Sequence, residues 1–140
     1  MFYKKKEVVF YEKPGCSGNA RQKALLKVCG VEFSVKSILD TPWSKEELES
    51  FFDGLSVPEI FNLTAPKVKD KSIDIHTISK DEAIKLMLDE PLLIKRPLLQ
   101  IDDVKVCGFD IDRINQLLNI NMDKPHDINE CTSSVPCKSV

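Results

Sequence analysis

In the first third of the chain, two short segments with strand-like apolar patterns flank a segment whose apolar residues recur at helical spacing. Residues 7–11 form a β-branched and aromatic run that stops at a Pro-Gly pair, which predicts a buried strand entering a turn. Over residues 19–29 apolar side chains recur at helical spacing and Gly30 follows as a left-handed cap, so we predict a helix there. The apolar positions of this helix are Ala20, Ala24, Leu25 and Val28. Residues 31–36 alternate apolar and polar side chains, as in a strand with one face on the core. Together these segments predict a β-α-β unit with parallel strands and a right-handed crossover.

The middle of the chain, about residues 41–90, carries helix signals. Ser44 with Glu47 three residues later has the pattern of a capping box, and Ser79 with Glu82 repeats it. The predicted helices run over residues 45–52, over residues 58–61 and onward from residue 79, whereas residues 62–78 are predicted to be irregular.

Strand character returns near the end of the chain. Residues 98–101 and 104–107 are separated by Asp102-Asp103, which predicts a hairpin with a two-residue turn. A helix over residues 110–118 follows. These segments therefore predict a β-hairpin followed by a final helix.

The elements fit one domain, because 140 residues with 42% hydrophobic content bury one core and leave no room for a second. Their order predicts an α/β thioredoxin-like fold with a mixed four-stranded sheet. A helical insertion at about residues 41–90 replaces the usual connecting helix. We assign residues 1–120 to this domain and residues 121–140, rich in proline and small polar residues, to a flexible C-terminal tail.

Charge and cysteine content narrow the function classes. Twenty basic and 22 acidic residues give a net charge of −2, so we do not expect direct binding to nucleic acid or to a membrane surface. No apolar run approaches the length of a membrane span or of a signal peptide, and we expect a cytoplasmic protein. Five scattered cysteines argue against a disulfide scaffold. Because the cysteines and the two histidines lack the spacing of metal ligands, we predict no metal site.

Cys16 is the candidate reactive centre. It lies where the first predicted strand gives way to the first helix, and the free N–H groups and dipole of a helix start favour a thiolate nucleophile. The alternative is an inert small residue in a turn. Cys29 and Cys107 are expected to pack in the core. Cys131 and Cys137, on the tail, are expected to have no role, with the alternative that one of them swings back to resolve an adduct on Cys16.

Two separated motifs resemble the arsenate reductase/Spx family. The first is the run FYEKPGC at residues 10–16, and the helix positions that accompany it are Asn19, Gln22, Leu25, Leu26 and Gly30. The second is PLLIKRPL at residues 91–98, followed by VCGFD at residues 106–110. Within the family, the first run together with Pro42-Trp43 and Phe51-Phe52 resembles the branch of nitrogenase-associated proteins. The resemblance covers about residues 7–118 and implies a thioredoxin-like fold.

The resemblance also implies roles for individual residues. Cys16 matches the catalytic thiol, and Arg96 matches an arginine that holds the anionic substrate beside it. Pro97 matches a proline that is usually cis and faces the thiol. The residues expected to bind substrate are Arg96, Pro97, Asn19 and Gly15. The alternative for Arg96 is an ion pair with a surface acid such as Asp110.

Departures from the family pattern argue against arsenate reduction. An arsenate reductase would carry histidine at the position of Glu12, and two further arginines where Asn62 and Gly108 align. An oxyanion site that lacks two of three cations is weakened, and Glu12 places a carboxylate near the thiol. Asn19 stands where Spx regulators carry the second cysteine of a CxxC pair, so that disulfide cannot form. We expect Asn19 to cap the first helix instead.

Two classes of function follow. In the first, a thiol oxidoreductase, Cys16 attacks a disulfide or glutathionylated substrate and Arg96 holds the anionic group. Glutathione, as co-substrate, or a redoxin then resolves the adduct, and no cofactor is bound. In the second, a non-catalytic regulatory protein associates with RNA polymerase or with a metalloenzyme such as nitrogenase. Trp43, Phe51 and Phe52 are expected in the core, but would suit such a protein partner if exposed.

Overall fold

The computed structural model describes residues 6–123, and its centre is one mixed sheet of four strands. The strands are β1 (Val8–Glu12), β2 (Ser34–Ser37), β3 (Leu98–Ile101) and β4 (Val104–Cys107). They lie in the order β2-β1-β3-β4. β1 pairs parallel with β2 and antiparallel with β3, and β4 is antiparallel to β3. This arrangement confirms the predicted mixed sheet of a thioredoxin-like fold.

Helices connect β1 to β2 and β2 to β3, one further helix follows β4, and most of the helices lie in the predicted insertion. They are α1 (Ser17–Val28), α2 (Lys45–Phe51), α3 (Val57–Ile60), α4 (Pro66–Lys69), α5 (Lys80–Asp89) and α6 (Ile111–Leu118), with a 3-10 turn over Pro91–Leu93. Ser44 and Ser79 cap α2 and α5 as predicted, because their hydroxyls accept from the N–H groups of Glu47 and Glu82 at 3.1 Å. The prediction of an irregular segment over residues 62–78 is wrong at α4, where Pro66 starts a single helical turn.

The sheet carries an apolar cluster on each face, because side chains alternate along its strands. On one face Phe10 and Leu99 pack with Leu26 of α1. On the other, Tyr11 and Leu98 pack with the helices of the insertion. The aromatic residues of the insertion belong to this second cluster: Phe51 and Phe52 are buried and Trp43 is half-buried against them. Their expected place in the core is therefore confirmed.

The predicted apolar face of α1 is wrong in three of its four positions. Ala20, Ala24 and Val28 are exposed, with Val28 at 84%, and only Leu25 packs against the core. The buried residues of α1 are Gly18, Asn19, Gln22 and Leu26. Polar side chains can face inward here because the Asn19 amide donates to Gln22 Oε1 at 2.9 Å, which satisfies both buried groups.

The strand predicted over residues 31–36 is shifted and shows little burial. β2 is the edge of the sheet, and its residues are exposed or half-buried, with Val35 at 44% exposure. Val31 and Phe33, which carried the alternating pattern, precede β2 and pack partly against the cluster around Leu26. The alternation therefore reflects packing of the connection rather than one buried face of the strand.

The C-terminal part follows the prediction closely. The Asp102-Asp103 turn joins β3 to β4, and Asp102 takes a positive φ of 51°. Asp110 caps α6 by accepting from the N–H of Arg113 at 3.2 Å.

No helix within residues 6–123 has the length and apolar character needed to cross a membrane.

The packed chain continues to Met122, two residues beyond the predicted end of the domain. Met122 is buried, and its N–H donates to Asn115 Oδ1 at 2.8 Å. The remainder of the predicted tail, including Cys131 and Cys137, lies outside the described residues.

Candidate functional site

Cys16 lies at the start of α1, just after β1 ends. It occupies the N-cap position with extended backbone, and its carbonyl accepts from the N–H of Ala20 at 3.1 Å. Its own N–H donates to the Lys13 carbonyl at 3.1 Å. Gly15, directly before it, has a φ of 80°, which is the left-handed region that favours glycine. The turn therefore places the thiol at a helix start, as the sequence predicts.

Asn19 does not cap the helix, because Cys16 already occupies that position. Asn19 is buried in the first turn of α1, and its Oδ1 accepts from the backbone N–H of Lys13 at 3.0 Å. With its amide donating to Gln22, both ends of the Asn19 side chain are engaged inside the protein. Asn19 therefore fastens the loop between β1 and α1 to the helix.

Arg96 reaches Cys16 from 80 residues away in sequence. Its Nε lies 3.5 Å from Cys16 Sγ, and its Nη2 donates to Thr64 Oγ1 at 3.4 Å. The Arg96–Pro97 peptide bond is cis and Pro97 is buried, as the family resemblance implies. Asp110, the alternative partner, caps α6 instead. The structure thus brings Arg96 and the candidate thiol together.

Thr64 contacts Arg96, although no sequence motif predicts a role for it. Asn62 Oδ1 accepts from the Thr64 N–H at 3.1 Å and from the Thr64 hydroxyl at 2.7 Å. The Asn62 amide also donates to the Leu92 carbonyl at 3.1 Å. A hydroxyl that donates to Asn62 still has lone pairs to accept from Arg96. Asn62 stands where an arsenate reductase is expected to carry an arginine. Here it fixes Thr64, whose hydroxyl in turn accepts from Arg96. The Asn-x-Thr spacing, typical of an Asx turn, is the only local signal.

Gly108, the other position of an expected arginine, has little room for a side chain. Its φ is 83°, and a Cβ there would lie 3.1 Å from Lys95 Cε. The Gly108 N–H donates to the Pro97 carbonyl at 2.8 Å, which ties this turn to the segment carrying Arg96. A larger residue at this position would require Lys95 to move.

Lys13 is a second cation at the site and was not among the predicted site residues. It is only 9% exposed and lines a narrow crevice together with Arg96. Burial lowers the pKa of the Lys13 amine and the Arg96 charge lowers it further, whereas the Cys16 sulfur acts in the opposite direction. Glu12, expected near the thiol, forms an ion pair with Lys23 of α1, so its charge is balanced.

The thiols of the described chain differ in their surroundings. Cys16 is 5% exposed, so the access of a substrate to its sulfur is restricted. Cys29 and Cys107 are half-buried against the two apolar clusters, as predicted for packing residues. Burial raises the pKa of Cys107 from its ordinary value of 9.0 to about 11. Within residues 6–123, no three His, Cys, Asp or Glu side chains are grouped so that they could hold a metal ion.

Comparisons with known proteins show which proteins this chain is similar to in sequence and fold. The sequence profile of the ArsC family matches residues 11–117. A Rhodospirillum rubrum protein, described as an uncharacterized 15.7 kDa protein in the draG 3' region, is 38% identical over 127 residues, which cover 91% of this chain and 89% of that protein. The global transcriptional regulator Spx 2 of Bacillus anthracis is 26% identical over 115 residues, covering 79% of this chain and 86% of that one. Among solved structures, an arsenate reductase from Vibrio cholerae superposes with a TM-score of 0.65 at 26% identity, covering 84% of this chain and 100% of that chain.

Proposed function

Because this chain belongs to the ArsC family, we propose that it is a thiol oxidoreductase that uses Cys16 as its single nucleophile. The observation that carries the proposal is the 3.5 Å approach of Arg96 Nε to Cys16 Sγ. The Arg96 guanidinium and the start of α1 both lie beside the sulfur, where an attacking nucleophile carries its negative charge. The thiolate is the form that attacks disulfides.

The proposed reaction has two exchange steps. In the first, the Cys16 thiolate attacks one sulfur of a disulfide or glutathionylated substrate, whose S–S bond breaks. One half of the substrate becomes bonded to Cys16, and the other half leaves as a thiolate that takes a proton from water. In the second, glutathione or a redoxin thiol attacks this mixed disulfide, restores Cys16 and is itself oxidised to a disulfide. No bound cofactor takes part.

The resolving thiol in this scheme comes from outside the site. Asn19 stands where a CxxC pair would supply a second cysteine, and Cys29 and Cys107 pack against the apolar clusters. Because Cys16 is 5% exposed, the first step includes displacement of a neighbouring side chain. Such monothiol chemistry fits a reducing cytoplasm, where we place the protein.

Arsenate is not the substrate we propose. Of the three arginines expected in an arsenate reductase, this chain keeps Arg96, while Asn62 binds Thr64 and Gly108 lies against Lys95. A tetrahedral oxyanion held by fewer cations binds more weakly. Measured arsenate reduction at a rate comparable to disulfide reduction would contradict this conclusion.

The test is glutathione-dependent reduction of a glutathionylated peptide, followed by coupled oxidation of NADPH through glutathione reductase. We expect turnover by the wild-type protein and none by Cys16→Ser. Cys29→Ser, a matched cysteine substitution away from the site, should keep the wild-type rate. Arg96→Ala should lower kcat/KM by about tenfold or more, the size of a lost charge-assisted contact. Unchanged turnover by Cys16→Ser would overturn the proposal.

A second candidate function is supported by the burial of Cys16, since a nucleophile with 5% exposure is poorly placed for frequent attack. In this case the chain is a non-catalytic regulatory protein that binds RNA polymerase or a metalloenzyme such as nitrogenase. Co-purification from the native host with wild-type and Cys16→Ser proteins separates the candidates. The binding function predicts the same captured proteins with both, together with no turnover in the peptide assay.

A further inference from the structure

Gln22 is a buried polar residue of α1 to which the proposed chemistry assigns no role. Gln22 is 3% exposed and Asn19, one turn earlier, is 2% exposed. The Asn19 amide donates to Gln22 Oε1 at 2.9 Å, and Asn19 Oδ1 accepts from the Lys13 N–H at 3.0 Å. A relay of two hydrogen bonds therefore runs from Gln22 through Asn19 to the backbone of Lys13.

The loop that this relay reaches is the one that carries the thiol. The Lys13 carbonyl accepts from the Cys16 N–H at 3.1 Å, so both backbone groups of Lys13 shape the turn over residues 13–16. The Cys16 sulfur at the end of this turn lies 3.5 Å from Arg96 Nε. A shift of the Lys13 backbone would therefore move the sulfur relative to the guanidinium.

The two ends of the Asn19 side chain are not interchangeable in this arrangement. A backbone N–H only donates, so the oxygen of Asn19 and not its NH₂ group has to face Lys13. The NH₂ group then faces position 22, which has to supply an acceptor because an unpaired buried donor is costly. Gln22 supplies that acceptor through Oε1. The residue at position 22 thereby determines which end of Asn19 meets the loop.

We propose that Gln22 is a positioning residue for the Cys16 thiol, acting through the Asn19 amide and the turn over residues 13–16. Without an acceptor at position 22, the Asn19 amide turns away from Lys13 and its bond to the loop weakens. The sulfur then leaves the place from which it attacks, and small displacements of a reacting atom are costly in rate. This inference rests on the proposed thiol oxidoreductase function and adds a residue that orients its nucleophile.

The test replaces Gln22 by methionine, which has a similar length but is a weak acceptor. Two quantities are measured: the hydrogen exchange rate of the Lys13 amide by NMR, relative to the amides of β1, and kcat/KM for the glutathionylated peptide. We expect Gln22→Met to raise the relative exchange rate about tenfold and to lower kcat/KM about tenfold, the scale of one lost hydrogen bond. Gln22→Glu keeps an acceptor oxygen and should restore both values.

Asn115→Leu is the matched control, because it removes a comparable side chain that bridges to backbone away from the thiol loop. Asn115 accepts from the Met122 N–H at 2.8 Å and donates to the Met122 carbonyl at 3.1 Å. This variant should lose stability but keep the wild-type relative exchange rate and kcat/KM. A measurement on the wild-type protein covers the case in which Gln22→Met does not fold. NMR couplings across hydrogen bonds should join the Lys13 nitrogen to the Asn19 side-chain carbonyl, and the Asn19 side-chain nitrogen to the carbonyl of the Gln22 side chain.

The outcomes separate this inference from the function it rests on. If Gln22→Met leaves the Lys13 exchange rate or kcat/KM unchanged, the positioning role is refuted while the reaction of Cys16 stands. Absence of the two couplings in a spectrum that shows those between β1 and β3 would refute it as well. If the wild-type protein does not turn over the peptide, the oxidoreductase function fails, and the positioning role fails with it.

Discussion

The buried face of α1 offers a direct test of the fold, because the structure and the sequence pattern disagree there. Leu26 is 0% exposed and packs in the cluster that contains Phe10 and Leu99. Val28, two residues later, is 84% exposed, although the spacing of apolar residues places it on the core side. Replacing each residue by alanine therefore gives two opposite expectations.

The magnitudes follow from the burial of each side chain. Leu26→Ala removes about three buried carbon groups at about 0.8 kcal/mol each, or about 2.4 kcal/mol, and leaves a cavity that adds to the cost. We expect a total loss of about 3–4 kcal/mol in the free energy of unfolding. Val28→Ala removes little buried surface and substitutes a better helix former, so its effect should lie within about 0.5 kcal/mol of zero.

Urea unfolding, followed by the fluorescence of the only tryptophan, measures both values. Trp43 lies on the opposite face of the sheet from Leu26, so its signal reports unfolding of the domain rather than a local change at the mutated site. A loss from Val28→Ala as large as that from Leu26→Ala, or no loss from Leu26→Ala, would show that α1 is rotated from the orientation described.

Two further predictions concern stability. Burial raises the pKa of Cys107 to about 11, so above pH 9 the unfolded chain loses a proton that the native chain retains, and stability falls as pH rises. Two pH units at about 1.36 kcal/mol each give a loss of up to about 2.7 kcal/mol by pH 11, and urea unfolding across this range should show a shallower decline for Cys107→Ala. Parallel pH profiles of the two proteins would contradict the assignment. Asp110→Ala, which removes the cap of α6, should cost about 1 kcal/mol, whereas Asp110→Asn should retain most of the stability. Equal thermal midpoints for wild type and Asp110→Ala would show that the cap contributes nothing.

Features that depend on interactions between residues close together in the sequence could be predicted from the sequence. The hairpin of β3 and β4 needs only two apolar runs and a turn between them, and the Asp110 cap acts over three residues. The caps Ser44 and Ser79 are likewise local. The orientation of α1 is not local, since its polar buried face exists because Asn19 and Gln22 satisfy each other and the β1–α1 loop. A pattern of apolar residues does not contain that information.

The candidate site likewise contains some residues that could be predicted from the sequence and others that could not. Cys16, Arg96 and Pro97 could be named because two separated motifs resemble a family in which such residues meet. Thr64 and Lys13 could not, because their positions at the site arise only after folding: Thr64 meets Arg96 across 32 residues, and Lys13 lines the same narrow crevice as Arg96. Lys13 is part of the first motif, yet nothing in that run distinguishes a lysine on the surface from one lining the site.

Exposure of the native protein to glutathione disulfide is the most direct measurement of whether the buried sulfur reacts. Peptide mass spectrometry identifies the modified cysteine. The account predicts a mixed disulfide that forms first at Cys16, ahead of the half-buried Cys29, and disappears on addition of excess glutathione. An unmodified Cys16 in a protein whose other thiols have reacted would contradict it.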